Sequence, residues 1–286
     1  MYFSLILCTI NRKEVVASFL ESVKNQTYKN FEVIMIDQND DDRLIPIVKN
    51  YQKYFSIQHI RTEKGLSKAR NVGLGYANAD ILAFPDDDCI YPPELLHSIN
   101  NFFLTENYSI MMGKTIDKKS RKIVAGKAVN DKEELSCYRF LGSSTTMFLN
   151  LEKINKNEIT FDERFGLGAR FGSGEEEDLM IRLLNKGYEG LYNPEVNYVY
   201  HPPSDLNFSD LKRAKERAVG LGGLVAKHLS TLCGLFYFLK YVLIHPFVSI
   251  VKSVIRFDIT MVKYHFFKFN GIMIGLVSFI MLRKPL

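Results

Sequence analysis

The sequence predicts an α/β fold, a mainly parallel sheet with helices on both faces, followed by a helical, apolar and basic C-terminal tail. Short apolar runs alternate with helix-period segments through the first 115 residues, the rhythm of strand–helix–strand units. Those runs are apolar at nearly every position, as expected of strands covered on both faces. Beyond residue 206 the composition changes: residues 207–286 hold 12 basic and 3 acidic residues, whereas residues 1–206 hold 25 and 29.

Taken in order, Tyr2–Thr9 reads as a buried strand, and Asn11 as the cap of a helix with Val15, Val16, Phe19, Leu20 and Val23 on one face. Phe31–Asp37 is a second strand, stopped by the turn-rich QNDDD. Arg43–Phe55 follows as a helix, Ile57–Ile60 as a strand, Leu66–Ala79 as a helix introduced by Gly65, Asp80–Pro85 as a strand, and Pro92–Leu104 as a helix with proline near its start. Parallel sheets bind ligands beyond the carboxyl ends of their strands. Thr9, Asn11, Asp37 and Asp86–Asp88 are therefore the first site candidates.

The bulk properties exclude several classes. A chain of 286 residues with 47% hydrophobic and 24% charged residues is globular, one large domain or two small ones. Its cysteines, Cys8, Cys89, Cys137 and Cys233, form no C-x-x-C pair. That argues against a zinc finger or a secreted disulfide scaffold and for a reducing, cytoplasmic setting. The opening MYFSLILCTINRK has no basic region before its apolar run and no small-residue cleavage site, so no signal peptide is expected. The tail lacks a nucleic-acid-binding motif.

Asp86, Asp87 and Asp88 end a strand, and Asp86 and Asp88, two apart, face the same way in extended chain. Such a pair suits a hard divalent ion, although an acidic surface turn has the same sequence. Asp37 ends an otherwise apolar strand, where its carboxylate can receive a nucleotide base or ribose, or cap a turn. GLSKARNVG, residues 65–73, offers a helix start with Lys68 and Arg70, suited to phosphate or to an ordinary amphipathic helix. Downstream, FDERFGLGARFGSGEEED places four acids after a glycine-rich loop. They read either as helix-dipole capping or as a general base at the mouth of a flexible loop.

Together these pieces resemble the family 2 glycosyltransferases, enzymes of GT-A fold that use nucleotide-activated sugars. The resemblance runs from about Ser4 to His201. Thr9, Asn11 and Arg12 in CTINR are similar to the family's first nucleotide-binding turn. Asp37 takes the place of the base-binding aspartate, and Arg70 and Asn71 fall in the third donor-site element. Asp86-Asp87-Asp88 matches the D-x-D motif, which implies metal ligation by Asp88 with Asp86 nearby. Gly142–Leu149 is similar to the strand that shapes the acceptor site. GEEED is similar to the acidic motif that supplies the base; Glu176 matches the usual aspartate, one methylene longer, and Glu175 is its rival. Cys89 stands where the family often has an acid. His201, closing the YVY run, can touch the diphosphate or the metal.

The resemblance implies an inverting displacement with Mn²⁺ or Mg²⁺, with UDP the expected nucleotide. Residues 1–206 would form the transferase domain, 1–115 the nucleotide-sugar half and 116–206 the acceptor half, and 207–286 a membrane-associating or dimerising region. Uncharged runs of 11, 11 and 13 residues at Leu229–Leu239, Tyr241–Val251 and Asn270–Leu282 fall short of the roughly 20 needed to span a bilayer. His245, Ser249, Lys252, Ser253 and Arg256 make one polar stripe on a helix otherwise apolar. That pattern favours a helix lying in the membrane interface, or packed on a core or a dimer partner. The expected location is the cytoplasmic face of the inner (plasma) membrane, peripheral or monotopic, with a glycan or lipid-linked acceptor. A polyprenyl-phosphate sugar synthase and a non-catalytic membrane-associated nucleotide-binding scaffold are the alternatives. A sugar-phosphate nucleotidyltransferase would show a G-x-G-x-R-type loop that CTINRK is not.

Overall fold

The computed structural model describes residues 1–125, 129–202 and 211–283. They belong to two compact units, one of residues 1–161 and 179–204, the other of 162–178 and 205–286.

The first unit opens with β1 (Phe3–Thr9), α1 (Glu14–Lys24), β2 (Phe31–Asp37), α2 (Ile45–Tyr51), β3 (Ser56–Arg61), α3 (Leu66–Tyr76), β4 (Ile81–Ala83) and α4 (Leu95–Thr105). Short strands follow: β5 (Ile110–Met112), β6 (Lys114–Ile116), β7 (Ile123–Ala125), β8 (Glu133–Glu134) and β9 (Phe148–Asn150). Then come α5 (Glu175–Asn185), β10 (Gly190–Tyr192) and β11 (Tyr198–Tyr200). The main sheet has the order β3-β2-β1-β4-β9-β5-β10-β8. Its β3-β2-β1-β4 half is parallel, β9 runs antiparallel to both neighbours, and β8 is antiparallel to β10. β11, β6 and β7 make a smaller sheet.

The period-two alternation of a strand explains why the first strands are apolar throughout. Phe3, Leu5 and Leu7 of β1 and Val33 and Met35 of β2 join one core with Val16, Phe19 and Leu20 of α1 and Leu96 and Ile99 of α4. Ile6, Ile34 and Ile36 face a second core with Ala69 and Leu74 of α3 and Leu179 and Leu183 of α5. Gly73 lets α3 approach the sheet: a Cβ there would stand 2.4 Å from Ile6 Cγ2. In the β1/β2 register Thr9 lies beside Asp37, and Cys8 bridges to Asp86. Three candidate residues are thus aligned at one edge of the sheet.

Two local expectations change. α1 starts at Glu14 after Lys13, and Asn11 makes no cap; it sits at φ +57°, a left-handed conformation that asparagine tolerates. GSSTTMFL, expected as one strand, opens with Gly142 at φ +87° and a 3-10 turn over Ser144–Thr146, closed by a capping box from Ser143. Only Phe148–Asn150 is strand.

The second unit carries the glycine-rich stretch and the helical tail: α6 (Leu211–His228), α7 (Leu232–Tyr237), a π-helical segment over Phe238–Ile244, α8 (His245–Ile255) and α9 (Ile259–Arg283). The stretch expected as a flexible loop is internally hydrogen-bonded. Phe171 N donates to Arg164 O at 2.9 Å and Gly166 N to Phe171 O at 2.8 Å. Phe165 stacks on Phe171 with centroids 5.1 Å apart, and both rings meet Phe279 of α9.

Gly222 and its neighbours, which helix propensity alone disfavours, permit close packing within a continuous 18-residue helix. A Cβ on Gly222 would lie 2.0 Å from Ile272 O, and one on Gly275 the same distance from Val219 O. Small residues at i and i+4 let two helix backbones meet in this way.

The tail also exceeds the length expected of it. Leu232–Ile255 and Ile259–Leu282 are each 24 residues long and apolar enough to cross a membrane by length and composition. The π segment continues the helix between the two shorter apolar runs, with Pro246 just after it at the start of α8. Of the expected stripe, Ser253 is buried and donates to Ser249 O at 2.9 Å, whereas Phe247, Val251, Val254 and Ile255 are exposed.

Candidate active site

The site in the first unit is built where β1, β2 and β4 end. Asp87 is the bolt between two of these ends: one carboxylate oxygen accepts from the Thr9 hydroxyl at 2.6 Å and the other from Arg12 at 2.6 Å. Arg12 also reaches Asp88 at 2.5 Å. Asp87 and Thr9 are buried, so this hydroxyl–carboxylate contact is sheltered from water. Burial raises the pKa of Asp87, opposed by Thr9 and Arg12.

The end of β2 is organised around Asp37, which is fully buried. Its Oδ1 accepts from the backbone N–H of Asn39 at 2.9 Å and from the Asn39 side chain at 2.6 Å, an Asx turn. Its other oxygen lies 2.9 Å from His59 Nε2. The side-chain Oδ1 of Asn39 in turn accepts from the Asn11 backbone N–H at 2.6 Å. Asp37 thus holds the left-handed Asn11 turn through Asn39.

Asp86, Asp88 and His201 form the one group of three metal-ligating side chains found among the described residues, with their ligand atoms within 4.8 Å of one another. His201 Nε2 is 3.0 Å from Asp88 and 4.0 Å from Asp86. The other ring nitrogen is 2.6 Å from the Pro202 carbonyl. A carbonyl only accepts, so Nδ1 carries the proton and Nε2 is turned to the carboxylates, the arrangement that orients a ligating imidazole. Two carboxylates and an imidazole fit a hard, six-coordinate ion such as Mn²⁺ or Mg²⁺, whose neighbouring ligands stand about 3 Å apart, and leave positions for other oxygens. Asp88 is held down to about 2: burial opposes ionisation, but His201 and Arg12 outweigh it. His201 is raised; burial works against the charged ring and Asp88 prevails. Burial raises Asp86, with Arg70 and His201 opposing.

Arg70 is buried, donates to the Ser144 hydroxyl at 2.9 Å, stands 3.7 Å from Asp86, and lies over the Phe161 ring. Asn71 joins the main chain of Phe161 through two hydrogen bonds of 2.8 Å. Lys68 pairs with Glu63 at the exposed surface. Cys89, in the place of the family's acid, points into the core. The structure therefore gathers Thr9, Arg12, Asp86, Asp87, Asp88, Arg70 and His201, and links Asn11 and Asp37 to one another. Asn39 and His59 are not among the sequence candidates, and Ser144 enters only as part of Gly142–Leu149. Asn39 carries a turn signal two residues after Asp37; His59 meets Asp37 only through the β2/β3 pairing, which no sequence pattern reveals.

Glu175, Glu176 and Asp178 stand in the first turn of α5 and belong to the second unit. Asp178 is fully buried against Lys227 and His228 of α6, at 2.7 and 2.8 Å.

A profile of glycosyl transferase family 2 matches residues 4–160. The chain belongs to glycosyl transferase family 2. Among its relatives, the poly(ribitol-phosphate) beta-N-acetylglucosaminyltransferase TarP of Staphylococcus aureus is 28% identical over 204 residues, 69% of this chain and 61% of TarP. The GalNAc(5)-diNAcBac-PP-undecaprenol beta-1,3-glucosyltransferase of Campylobacter jejuni is 29% identical over 64% of this chain and 60% of its own. The chain spans about a third to three-fifths of the length of the first curated relatives it matches. S. aureus TarS 1–349 has the same fold, with a TM-score of 0.59 at 18% identity over 99% of this chain and 91% of that one. The mannosyltransferase PcManGT of Pyrobaculum calidifontis, solved with GDP-Man and Mn²⁺, has a TM-score of 0.64 at 12% identity over 99% and 88%. The fold is that of the GT-A transferases, as the sequence predicts.

Proposed function

We propose that this family 2 chain is an inverting, divalent-metal-dependent glycosyltransferase that moves a sugar from a nucleoside diphosphate to an acceptor hydroxyl. The observation that carries the reading is the convergence of Asp86, Asp88 and His201 at the carboxyl end of β4. Asp86, Asp88 and His201 would hold Mn²⁺ or Mg²⁺, which would supply positive charge against the departing nucleoside diphosphate. Arg12 and Arg70 add fixed positive charge beside the carboxylates. Thr9, Asn11, Arg12, Asp37, Lys68, Arg70, Asn71, Asp86 and Asp87 form the donor site, either touching the nucleotide sugar or holding the turns that do. Glu176 removes the proton of the acceptor hydroxyl as that oxygen attacks the anomeric carbon, with Glu175 the alternative base.

UDP is the proposed nucleotide, supported by the TarS structures solved with UDP and UDP-GlcNAc. A lipid-linked glycan is the proposed acceptor, supported by the undecaprenol-linked name of the C. jejuni relative and by the tail. Leu232–Ile255 and Ile259–Leu282 have only 22% and 28% of their apolar windows buried. Large exposed side chains such as Phe247 and Ile255 lie on the first of these helices and Phe257 in the turn between the two, in a stretch that also carries Lys240, Lys252 and Arg256. Apolar surface of this extent with interspersed cations suits the anionic cytoplasmic face of a membrane. We place residues 207–286 there, as a monotopic anchor or a dimer contact.

The test is thermal stability of the detergent-solubilised chain against UDP, GDP, dTDP and CMP, with and without Mn²⁺, beside Asp88→Ala. A nucleotide at 100 times its dissociation constant adds about 2.7 kcal/mol. A Mn²⁺-dependent rise with one nucleotide, lost in the variant, supports the reading and selects the donor class. No rise with any nucleotide overturns the reading, and a rise with neither hydrolysis nor transfer of the sugar favours the nucleotide-binding scaffold.

A further inference from the structure

We infer that Lys227, with His228 beside it, is a positioning residue for the acidic first turn of α5. The inference rests on the proposal that a carboxylate of that turn is the catalytic base. It concerns groups outside the residues that the family profile matches: a lysine and a histidine at the C-terminal end of a tail helix.

The ammonium of Lys227 joins the two ends of the glycine-rich turn. It lies 2.8 Å from Asp162 Oδ2 at the beginning of the turn and 2.7 Å from Asp178 Oδ1 at its end. His228 Nε2 meets the same Asp178 oxygen at 2.8 Å. Asp162 is also gripped by Arg164, whose Nε and NH2 donate at 2.9 and 2.6 Å. Asp178 is wholly buried and the Lys227 side chain is 17% exposed, so these charges meet largely out of water. Phe165 and Phe171 stack between the two anchors and pack on Phe279, and Lys227 lies 5.6 Å from the Phe165 ring centre.

Glu175 and Glu176 precede Asp178 in the same helical turn. Gly174 precedes them at φ +98°, a conformation that gives the chain its turn into the helix. The Asp178 backbone N–H donates to Gly174 O at 2.9 Å, closing the first turn. A helix advances about 100° per residue, so fixing the azimuth of Asp178 fixes those of Glu175 and Glu176. Because Lys227 and His228 are the last residues of α6, the tail helix sets the direction of the acidic turn.

The experiment uses the full chain and a sugar derivative of the nucleotide that the stability panel selects, following nucleotide release with water as the acceptor. Lys227→Met keeps the length of the side chain and removes the charge. The expected result is a fall in kcat of at least about tenfold, toward the ~10²-fold that a 1 Å misplacement costs. Donor KM and nucleotide-dependent stabilisation stay within about twofold, since uniform binding is untouched. Lys227→Arg restores most of kcat, and Lys227→Met adds no further loss to Glu176→Gln. An unchanged kcat in Lys227→Met overturns the inference, as does a joint loss of kcat, KM and nucleotide stabilisation, or an Arg variant no better than Met. Should Lys227→Met not melt cooperatively, His228→Gln, which keeps a donor, and His228→Ala carry the same comparison: the inference requires Gln to retain kcat and Ala to lose it. Full activity in Glu176→Gln would instead sink the base assignment, and the Lys227 variants would then report on Glu175.

Discussion

His201 turns Nε2 to Asp88 at 3.0 Å while its other ring nitrogen is fastened to the Pro202 carbonyl at 2.6 Å. The two residues are 113 positions apart in the chain. Strand pairing brings them together: Ile90, two residues after Asp88, bridges Tyr200, the residue before His201. The short β11 thus delivers an imidazole to the carboxylates that β4 presents.

That contact makes His201 the discriminating test of the metal site. His201→Ala should weaken Mn²⁺-dependent nucleotide binding by about tenfold or more, while metal-free nucleotide binding changes little. Titration calorimetry with and without Mn²⁺ measures both. Equal weakening in the two arms would assign His201 to the nucleotide and not to the ion.

Glu176→Gln should lower kcat by about 10²–10⁴-fold, the range for a general base, and leave nucleotide stabilisation intact. Glu175→Gln should change kcat far less. Reversal of that order in steady-state nucleotide release would exchange the two roles.

The β-α-β rhythm, the strand ends and the D-x-D acids were legible because burial on both faces writes itself as continuous apolar runs. β2 has the bounds expected of it, Phe31–Asp37. Features set by distant pairing were not legible. His59 reaches Asp37 only through β3, and the turn over Ser144–Thr146 depends on a capping box within what reads as a strand. The glycines of α6 read as helix breakers because a propensity scale sees exposed backbone; against α9 they are the contact surface.

Thr9→Val keeps the volume and removes the hydroxyl that Asp87 accepts. Stripping one partner from a buried polar pair costs about 1–3 kcal/mol, so the variant should melt measurably lower. A Thr9→Ser control should recover most of the loss. An unchanged melting point for Thr9→Val would show that Arg12 alone satisfies Asp87.

Asp162 gives a pH signature. Against the burial that opposes it, Arg164 and Lys227 depress its folded pKa below the ordinary 3.8. A depressed folded pKa contributes stability that is complete above the unfolded value and is lost as pH falls through the folded one. The melting-point gap between the wild-type chain and Asp162→Asn should therefore be widest above about pH 5 and shrink as pH falls below about 4. A gap that stays constant across that interval would mean the ion pairs add nothing beyond hydrogen bonding.

Two glycines predict opposite outcomes for the same substitution. A methyl group at Gly222 would stand 2.0 Å from Ile272 O and 2.8 Å from Leu276 N, both backbone atoms of α9 that cannot move aside separately. Gly222→Ala should push the helices apart and destabilise the chain by about 1–3 kcal/mol or more. At Gly75, inside α3, nothing lies within 4 Å of a new Cβ. Gly75→Ala should stabilise by about 0.5–1 kcal/mol through restriction of the unfolded chain and better helix propensity. Thermal melts of both variants in the same detergent measure the pair. If Gly222→Ala melted with or above the wild type, close contact of α6 with α9 would not be what those glycines provide, and the helix-propensity reading would stand in its place.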